Sequence, residues 1–155
     1  MRFSPQAAFF LSLIAIVAAA GHSAVCGNRQ YSTDAVAKAS DASCSYVKNG
    51  TSVGTNMYPH QYKNLEKLNL GGLSGPFYEF PILSNGQVYF SGNPGPDRVI
   101  ITRDCKLAGV ITHQGANGNG FLECNVKTSA ASAVAAAYGF LFALCLPTAL
   151  LVIAV

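Results

Sequence analysis

The sequence contains no tryptophan and few charged residues, because Asp, Glu, Lys and Arg make up only 11% of its 155 positions. Neither sign of charge dominates, with 10 basic residues against 7 acidic ones and a formal net charge of +3. This balance excludes a strongly polybasic nucleic-acid or membrane binder. The sequence also has no Gly-x-Ser-x-Gly elbow, no phosphate-binding loop and no metal-ligand spacing. We therefore expect neither a metal site nor a cofactor.

Apolar residues are concentrated at the two ends. Residues 1–20 contain 15 of them and residues 130–155 contain 22, which leaves residues 21–129 as a modestly polar domain. A stretch of this length suffices for one domain of ordinary size. The distribution excludes a polytopic membrane protein, a coiled coil, a repeat array and a two-domain enzyme.

Residues 1–20 have the pattern of a secretory signal peptide. Arg2 supplies the positive charge, an apolar run follows, and Ala18 and Ala20 form a small-x-small cleavage site. The apolar run is shorter than the ~20 residues that a transmembrane anchor needs. The pattern predicts a secreted protein that is cleaved after Ala20, with Gly21 as the alternative site.

The C-terminal residues 130–155 are predicted to be a removable signal for a glycosylphosphatidylinositol (GPI) anchor. Such a signal combines small residues at the attachment site, a spacer and an apolar tail. The attachment residue is predicted at Ser129, with a spacer over 132–139 and a tail over 140–155. The alternative is a transmembrane helix, but a stop-transfer helix usually carries Lys or Arg on its cytoplasmic side, and none follows Lys127. Either anchor would hold the protein at a cell membrane.

The sequence has five cysteines, of which Cys145 lies in the predicted tail. The other four form an even set in a secreted domain, which indicates two disulfides, and counting alone leaves three pairings open. These four are Cys26, Cys44, Cys105 and Cys124. Asn49 begins an Asn-Gly-Thr sequon and is a candidate glycosylation site.

Turn signals divide residues 21–129 into short segments typical of an α+β fold. Ser32 or Asp34 can cap a helix over 33–45, with an apolar stripe along one side. Gly-rich turns then alternate with strand candidates at 57–62, 76–82, 87–90, 98–102, 107–113 and 121–124. This order predicts one α-helix packed on one face of a twisted antiparallel β-sheet. The other face would be free to carry a functional site.

Few side chains are suited to acid–base chemistry. The candidates, each in or beside a predicted strand, are His60, Glu79, Arg98 and His113. The plain alternative is that all four are structural. By strand alternation Glu79 would face solvent, Arg98 would form a salt bridge with Asp97 or a neighbour, and both histidines would be surface residues. The residue pattern alone leaves both interpretations open.

Five motifs follow one another between Cys26 and Cys124. They are Tyr58-Pro59-His60-x-Tyr62, Tyr78-Glu79-Phe80-Pro81-Ile82, Asn93-Pro94-Gly95-x-Asp97-Arg98-Val99, Ala108-Gly109-Val110-Ile111-Thr112-His113-x-Gly115-Ala116 and Gly118-Asn119-x-Phe121-x-Glu123-Cys124. In order and spacing this stretch resembles the fungal guanyl-specific extracellular ribonucleases of the ribonuclease T-one type. The resemblance implies the microbial ribonuclease fold, disulfides Cys26–Cys124 and Cys44–Cys105, and a cis peptide at Tyr58-Pro59.

The resemblance also implies metal-independent cleavage of single-stranded RNA. DNA would not be cleaved, because the reaction uses the ribose 2′-hydroxyl. A 2′,3′-cyclic phosphate would form first and be hydrolysed afterwards. Glu79 would be the general base with His60 assisting, and His113 would be the general acid. Arg98 and Tyr58 would bind the phosphate. The implied enzyme is a monomer.

A guanine site follows from the same resemblance. Its residues would be Tyr62, Lys63, Asn64, Leu65, Glu66 and Asn119, beside an apolar wall formed by Phe121. Glu66 would accept hydrogen bonds from the base, and backbone amides would meet the rest. Lys63 and Leu65 depart from the family pattern, which has an asparagine and a second tyrosine there. The missing tyrosine removes one side of an aromatic sandwich around the base.

Three other functions compete with ribonuclease activity. A catalytically idle ribonuclease-like surface or effector protein, binding RNA or a protein partner, would usually lack the acid, the base or the arginine. A ribosome-cleaving ribotoxin would need long lysine-rich loops. A structural cell-wall protein has only the apolar tail in its favour. The full set of His60, Glu79, Arg98 and His113 favours the enzyme.

Overall fold

The computed structural model describes residues 20–129, which form one α-helix and eight β-strands. In chain order they are β1 (Gly21–Cys26), β2 (Arg29–Tyr31), α1 (Thr33–Asn49), β3 (His60–Tyr62), β4 (Phe77–Pro81), β5 (Asp97–Thr102), β6 (Leu107–Thr112), β7 (Leu122–Glu123) and β8 (Asn125–Ser129). A three-stranded sheet has the order β2-β1-β8 and a five-stranded sheet the order β3-β4-β5-β6-β7. Every strand pairing is antiparallel, so the predicted α+β class with one helix is confirmed.

Helix α1 begins and ends at capping residues. The Ser32 hydroxyl accepts a hydrogen bond from the backbone N–H of Ala35 at 3.2 Å. Gly50 ends the helix in the left-handed conformation at φ 62°, which glycine adopts without steric cost. The helix therefore continues to Asn49, beyond the predicted end at 45, because the residue that ends it is Gly50.

The five-stranded sheet has an apolar cluster on each face. On the helix side, α1 packs against Phe80, Val99 and Val110. On the other face a smaller cluster contains Tyr62, Leu70, Ile100, Ala108 and Ile111. Successive residues of a strand point to opposite faces. Arg98 and Ile100 of β5 therefore share the face that the helix does not cover.

Two disulfides cross-link the domain in the pairing that the resemblance implies. Cys26 is bonded to Cys124, and Cys44 to Cys105. The first bond joins β1 to the residue between β7 and β8, and the second joins α1 to the turn after β5. The Tyr58–Pro59 peptide is cis, as the resemblance implies, and so is Gly75–Pro76.

The predicted strands at 76–82, 98–102 and 107–113 agree with β4, β5 and β6 to within one residue at each end. The segment 57–62 is a strand only from His60, after the cis proline, and 121–124 is reduced to the two residues of β7. The prediction at 87–90 is wrong. Among residues 20–129 only Val88 makes a bridge there, to Ile82, so the segment has no continuous partner strand in that part of the chain.

The three-stranded sheet is not predicted by the sequence. It pairs β1 with β8 so that Gly21 lies opposite Ser129. The predicted cleavage site and the predicted anchor attachment residue are thus neighbours. The rest of the predicted signal peptide, the apolar tail and Cys145 lie outside the described residues. Within residues 20–129, no helix is both long and apolar enough to cross a bilayer.

Candidate active site

The face of the five-stranded sheet that lacks the helix brings the four acid–base candidates together. His60 of β3 lies directly opposite Glu79 of β4 in the strand register. Arg98 follows at the start of β5, which pairs with β4. His113 comes directly after β6, and its N–H donates to the carbonyl of Pro96 at 2.9 Å, beside the start of β5. The sheet topology therefore assembles residues that are far apart in sequence.

His60 and Glu79 form a hydrogen-bonded pair. Nδ1 of His60 lies 3.2 Å from Oε1 of Glu79, and Nε2 of the same ring contacts the carbonyl of Asn56. Only 12% of the Glu79 side chain is exposed, so the interpretation of Glu79 as a solvent-facing residue is wrong. Its Oε2 is buried without a hydrogen-bond partner among residues 20–129. An unpaired buried carboxylate oxygen is costly, and such atoms need an explanation.

Arg98 is 4% exposed and is held by backbone carbonyls. Its Nη1 donates to the carbonyls of Gly95 at 2.8 Å and Asp97 at 2.9 Å, and its Nη2 donates to Oη of Tyr58 at 2.8 Å. Within residues 20–129 its Nε has no acceptor. The guanidinium is therefore a fixed cation that bonds to no carboxylate within the described domain.

Asp97 does not form the expected salt bridge with Arg98. Its fully buried carboxylate accepts a hydrogen bond from Tyr31 at 2.5 Å, pairs with Arg29 at 3.3 Å and accepts from Gln114 at 3.3 Å. Burial, together with the bond to Asp97, raises the pKa of the Tyr31 hydroxyl. The role of Asp97 in fixing β5 beside the site is not predicted from sequence. Its place in the motif before Arg98 is the only signal for it.

Tyr58 connects Arg98 to His60. Its ring stacks on the His60 ring at a centroid separation of 4.1 Å, while its hydroxyl accepts from Arg98. Burial raises the pKa of Tyr58, although the Arg98 charge opposes the shift. The hydroxyl therefore stays protonated around neutral pH and can donate a hydrogen bond to an anion.

His113 is oriented by a backbone carbonyl and an aromatic ring. Its Nδ1 lies 2.8 Å from the carbonyl oxygen of Gly120, which can only accept, so this contact assigns a proton to Nδ1. The ring stacks on Phe121 at 3.8 Å between centroids. The other ring nitrogen, Nε2, is then the one available to exchange a proton with a ligand.

Most of the predicted base-binding residues lie at the end of β3 and on the loop after it. Tyr62 Oη donates to Glu66 Oε2 at 3.0 Å, and burial followed by this bond raises the pKa of Tyr62. Asn64 has a φ of 50° and closes the loop through two side-chain hydrogen bonds to the backbone of Leu68, at 2.8 and 2.9 Å. The Tyr62 ring meets Phe121 edge-on at 5.8 Å. The loop is thus connected to His113 through Phe121.

The remaining predicted residues of the base site are exposed. Lys63 and Asn119 lie at the surface, and Leu65 is 81% exposed. A Cβ placed on Gly120, the residue after Asn119, would be 3.9 Å from Oε1 of Glu66. The Glu66 loop and the Asn119 turn are therefore neighbours.

Two further features lie away from this site. Asn49, the candidate glycosylation residue, is exposed at the end of α1, on the helix side of the sheet. A groove of about 360 Å³ is lined mainly by residues of β6 and β8 and by the segment 69–71. None of the four acid–base candidates lines that groove, so it is not the candidate active site.

The chain matches the family model described as ribonuclease over residues 19–125, which is more than half of its length. An antiparallel sheet backed by one helix, with two histidines at its site, therefore defines a known class of protein. This chain belongs to the ribonuclease family.

Two of the relatives that this chain resembles are guanyl-specific ribonucleases. Guanyl-specific ribonuclease Th1 of Trichoderma harzianum is 54% identical over 101 residues, covering 65% of this chain and 95% of that protein. Guanyl-specific ribonuclease T1 of Aspergillus oryzae is 48% identical over 99 residues, covering 64% and 75%. Among solved structures, ribonuclease He1 from Hericium erinaceus is similar, with a TM-score of 0.50 and 36% identity over 66% of this chain and 98% of that one.

Proposed function

We propose that this protein is a secreted endoribonuclease that cleaves single-stranded RNA on the 3′ side of guanosine through a 2′,3′-cyclic phosphate. The observation that carries the proposal is the acid–base set on one sheet face. It combines a carboxylate paired with a histidine, a buried arginine that bonds no carboxylate of residues 20–129, and a second histidine with one nitrogen available. Family membership and guanyl-specific relatives support the same activity. The catalytically idle alternative is not favoured, because the set is complete.

In the proposed mechanism, Glu79 takes the proton from the ribose 2′-hydroxyl, with His60 assisting. The 2′-oxygen then attacks phosphorus, and the bond to the 5′-oxygen of the next nucleotide breaks. His113 protonates that 5′-oxygen from Nε2. In the second step the roles reverse, and water opens the cyclic phosphate to a 3′-phosphate. A base on β4 and an acid directly after β6 suit an in-line displacement.

Negative charge builds on the non-bridging oxygens during both steps. Arg98 is already fixed by carbonyls and by Tyr58, so it requires little rearrangement to stabilise that charge. Tyr58 adds a neutral hydrogen-bond donor. Phe121 forms an apolar wall that also holds His113 in place.

Guanine preference is assigned to the loop that carries Glu66. Its carboxylate accepts hydrogen bonds from the N–H groups of the base, and the backbone of Lys63, Asn64 and Leu65 together with Asn119 completes the site. Matching of buried donors and acceptors is the strongest source of discrimination between similar ligands. Tyr62 supplies the remaining aromatic face.

The test is cleavage of GpC, ApC and UpC by the protein secreted from a host that forms disulfides. We expect GpC to be cleaved fastest, with EDTA present and with DNA left intact. His113→Ala should lower the rate by at least ~100-fold, the usual scale for loss of a general acid. His22→Ala is the matched control, since His22 lies on β1, outside the site. Full activity of His113→Ala would overturn the mechanism.

We further propose that residues 1–20 are removed on secretion and that 130–155 are replaced by a GPI anchor at Ser129. The support is the sequence pattern: an Ala-x-Ala cleavage site at one end, and small residues before an apolar tail at the other. The mature domain would then span 21–129 at the cell surface, as a monomer with a glycan at Asn49. Release from cells by a phosphatidylinositol-specific phospholipase tests the anchor, and retention would favour a transmembrane tail.

A further inference from the structure

The loop proposed to bind guanine carries two exposed lysines. Lys63 and Lys67 lie on either side of Glu66 in sequence, and neither pairs with a carboxylate of residues 20–129. By contrast, Lys38 on the helix pairs with Asp34 at 2.8 Å. Two positive charges without an ion-pair partner in the described domain therefore lie at the edge of the proposed base site.

Lys67 has a backbone conformation that favours glycine. Its φ is 58°, in the left-handed region, and its N–H donates to the carbonyl of Asn64 at 3.1 Å to close a turn. A side chain at such a position costs conformational energy that glycine avoids. An observed backbone outlier is a reason to look for a function. What this side chain adds is a positive charge beside the base site.

The loop that carries these lysines is joined to His113 by aromatic contacts. Tyr62, at the start of the loop, contacts Phe121, and Phe121 stacks on His113. An RNA nucleoside that puts its base against the loop and its 3′ phosphate at His113 carries its next phosphate on the 5′ side. This 5′ phosphate is part of the same nucleotide as the base. Exposed charges interact over about 8 Å at physiological ionic strength.

We propose that Lys67, helped by Lys63, binds the phosphate on the 5′ side of the guanosine. The inference rests on the proposed guanosine-directed cleavage and deepens it. An internal guanosine would then be a better substrate than one at a 5′ end. Charge balance supports this assignment, because the Glu66 carboxylate, which Tyr62 Oη contacts at 3.0 Å, lies on the same loop and repels phosphate. The two lysines offset that repulsion where the chain upstream of the guanosine must pass.

The experiment compares GpC with pGpC, which differ only in a 5′ phosphate, using the secreted protein. We expect kcat/KM for pGpC to exceed that for GpC by about two- to fivefold at low salt, the scale of an exposed charge pair. The ratio should fall toward one as salt is raised. Lys67→Gly should bring it close to one without impairing GpC cleavage, whereas Lys67→Arg should preserve it.

The matched control is Lys48→Gln, which removes the same charge from α1 on the other side of the sheet. It should leave the ratio unchanged. A ratio near one in the unmodified protein, or one that survives Lys67→Gly, overturns the inference, and so do equal losses in Lys67→Gly and Lys48→Gln. The melting temperature of Lys67→Gly should stay close to that of the unmodified protein, because the turn favours glycine. Absence of GpC cleavage would instead overturn the proposed function itself.

Discussion

Leu65 is 81% exposed at a position where the ribonuclease T-one type has a tyrosine. A leucine still covers a bound base with apolar surface, but it has no ring to stack on it, and base–aromatic stacking is worth roughly 1–3 kcal/mol. Glu66 is retained and is held by Tyr62 at 3.0 Å. Hydrogen-bond discrimination should therefore persist while the affinity for guanine is reduced.

Leu65→Tyr should tighten the binding of guanosine monophosphate by about 1 kcal/mol, or roughly fivefold, because it restores a stacking face. Calorimetric titration measures this directly. Glu66→Ala is the contrasting variant, and it should erode the preference for GpC more than it slows ApC cleavage. Equal cleavage of GpC and ApC by the unmodified protein would contradict both expectations and show that Lys63 and Leu65 have changed the base preference.

The sequence predicts the positions of some residues of the site and not of others. Motif matching names the acid–base candidates, and the structure brings them to one sheet face. Strand alternation alone misplaces Glu79 in solvent, because it takes no account of His60 on the neighbouring strand. The carbonyls of Asn56, Gly95 and Gly120 that orient the site are not predictable from sequence. Their positions depend on the path of three loops, and any residue type supplies a carbonyl.

At the scale of elements, β5 combines two roles in adjacent residues. Asp97 is buried among side chains of β2 and of the segment after β6, while Arg98 reaches the carbonyls and Tyr58 of the site. Because the two residues are neighbours on one strand, the interactions of Asp97 also fix the backbone from which Arg98 extends. A buried charge network of this kind is costly to break at one member.

Asp97→Asn should lower the free energy of unfolding by about 3 kcal/mol, because the amide loses the charge that pairs with Arg29. Urea unfolding, followed by tyrosine fluorescence since the chain has no tryptophan, measures the change. Asp104→Asn is the control, since Asp104 is exposed in the turn after β5 and its loss should cost less than about 0.5 kcal/mol. Similar small losses in both variants would show that the buried network contributes little.

Elements with local signals are predicted well, and elements without them are missed. Helix α1 has a cap and an apolar stripe, and β4 to β6 carry β-branched or aromatic runs. Strands β1 and β8 have no such pattern, and they form because distant backbones pair next to the Cys26–Cys124 bond. The opposite error is the strand predicted at 87–90, where a Val-Tyr-Phe run favours a strand. There Tyr89 is buried against Tyr58 and Phe80 instead of belonging to a ladder.

On the scale of the whole molecule, the two disulfides enclose most of the domain. Cys26 and Cys124 are 98 positions apart, and Cys44 and Cys105 are 61 apart. A domain of this size buries a limited apolar core. On the chain-entropy account, the restriction that the disulfides place on the unfolded chain therefore contributes substantially to the stability of the domain.

The stability lost on removing each disulfide should increase with the length of the loop that the disulfide closes. Replacing Cys26 and Cys124 by alanine should cost up to about 4.7 kcal/mol, and replacing Cys44 and Cys105 up to about 4.3 kcal/mol. Guanidinium unfolding of each double variant, compared with the unmodified protein, gives both values. A cost below about 1 kcal/mol for either pair would show that the unfolded state retains structure around that cross-link.

The pairing of Gly21 with Ser129 means that the order of the strands along the polypeptide is not essential to their arrangement in space. A short linker could join the two residues, and the chain could be reopened at Gly71–Gly72, an exposed turn. Such a circularly permuted protein would keep every sheet pairing and both cross-links while β4 became its first strand. Domains whose first and last elements are adjacent tolerate this rearrangement. Because Ser129 would then lie inside the chain, folding of the permuted protein would show that the domain does not need a free end at Ser129.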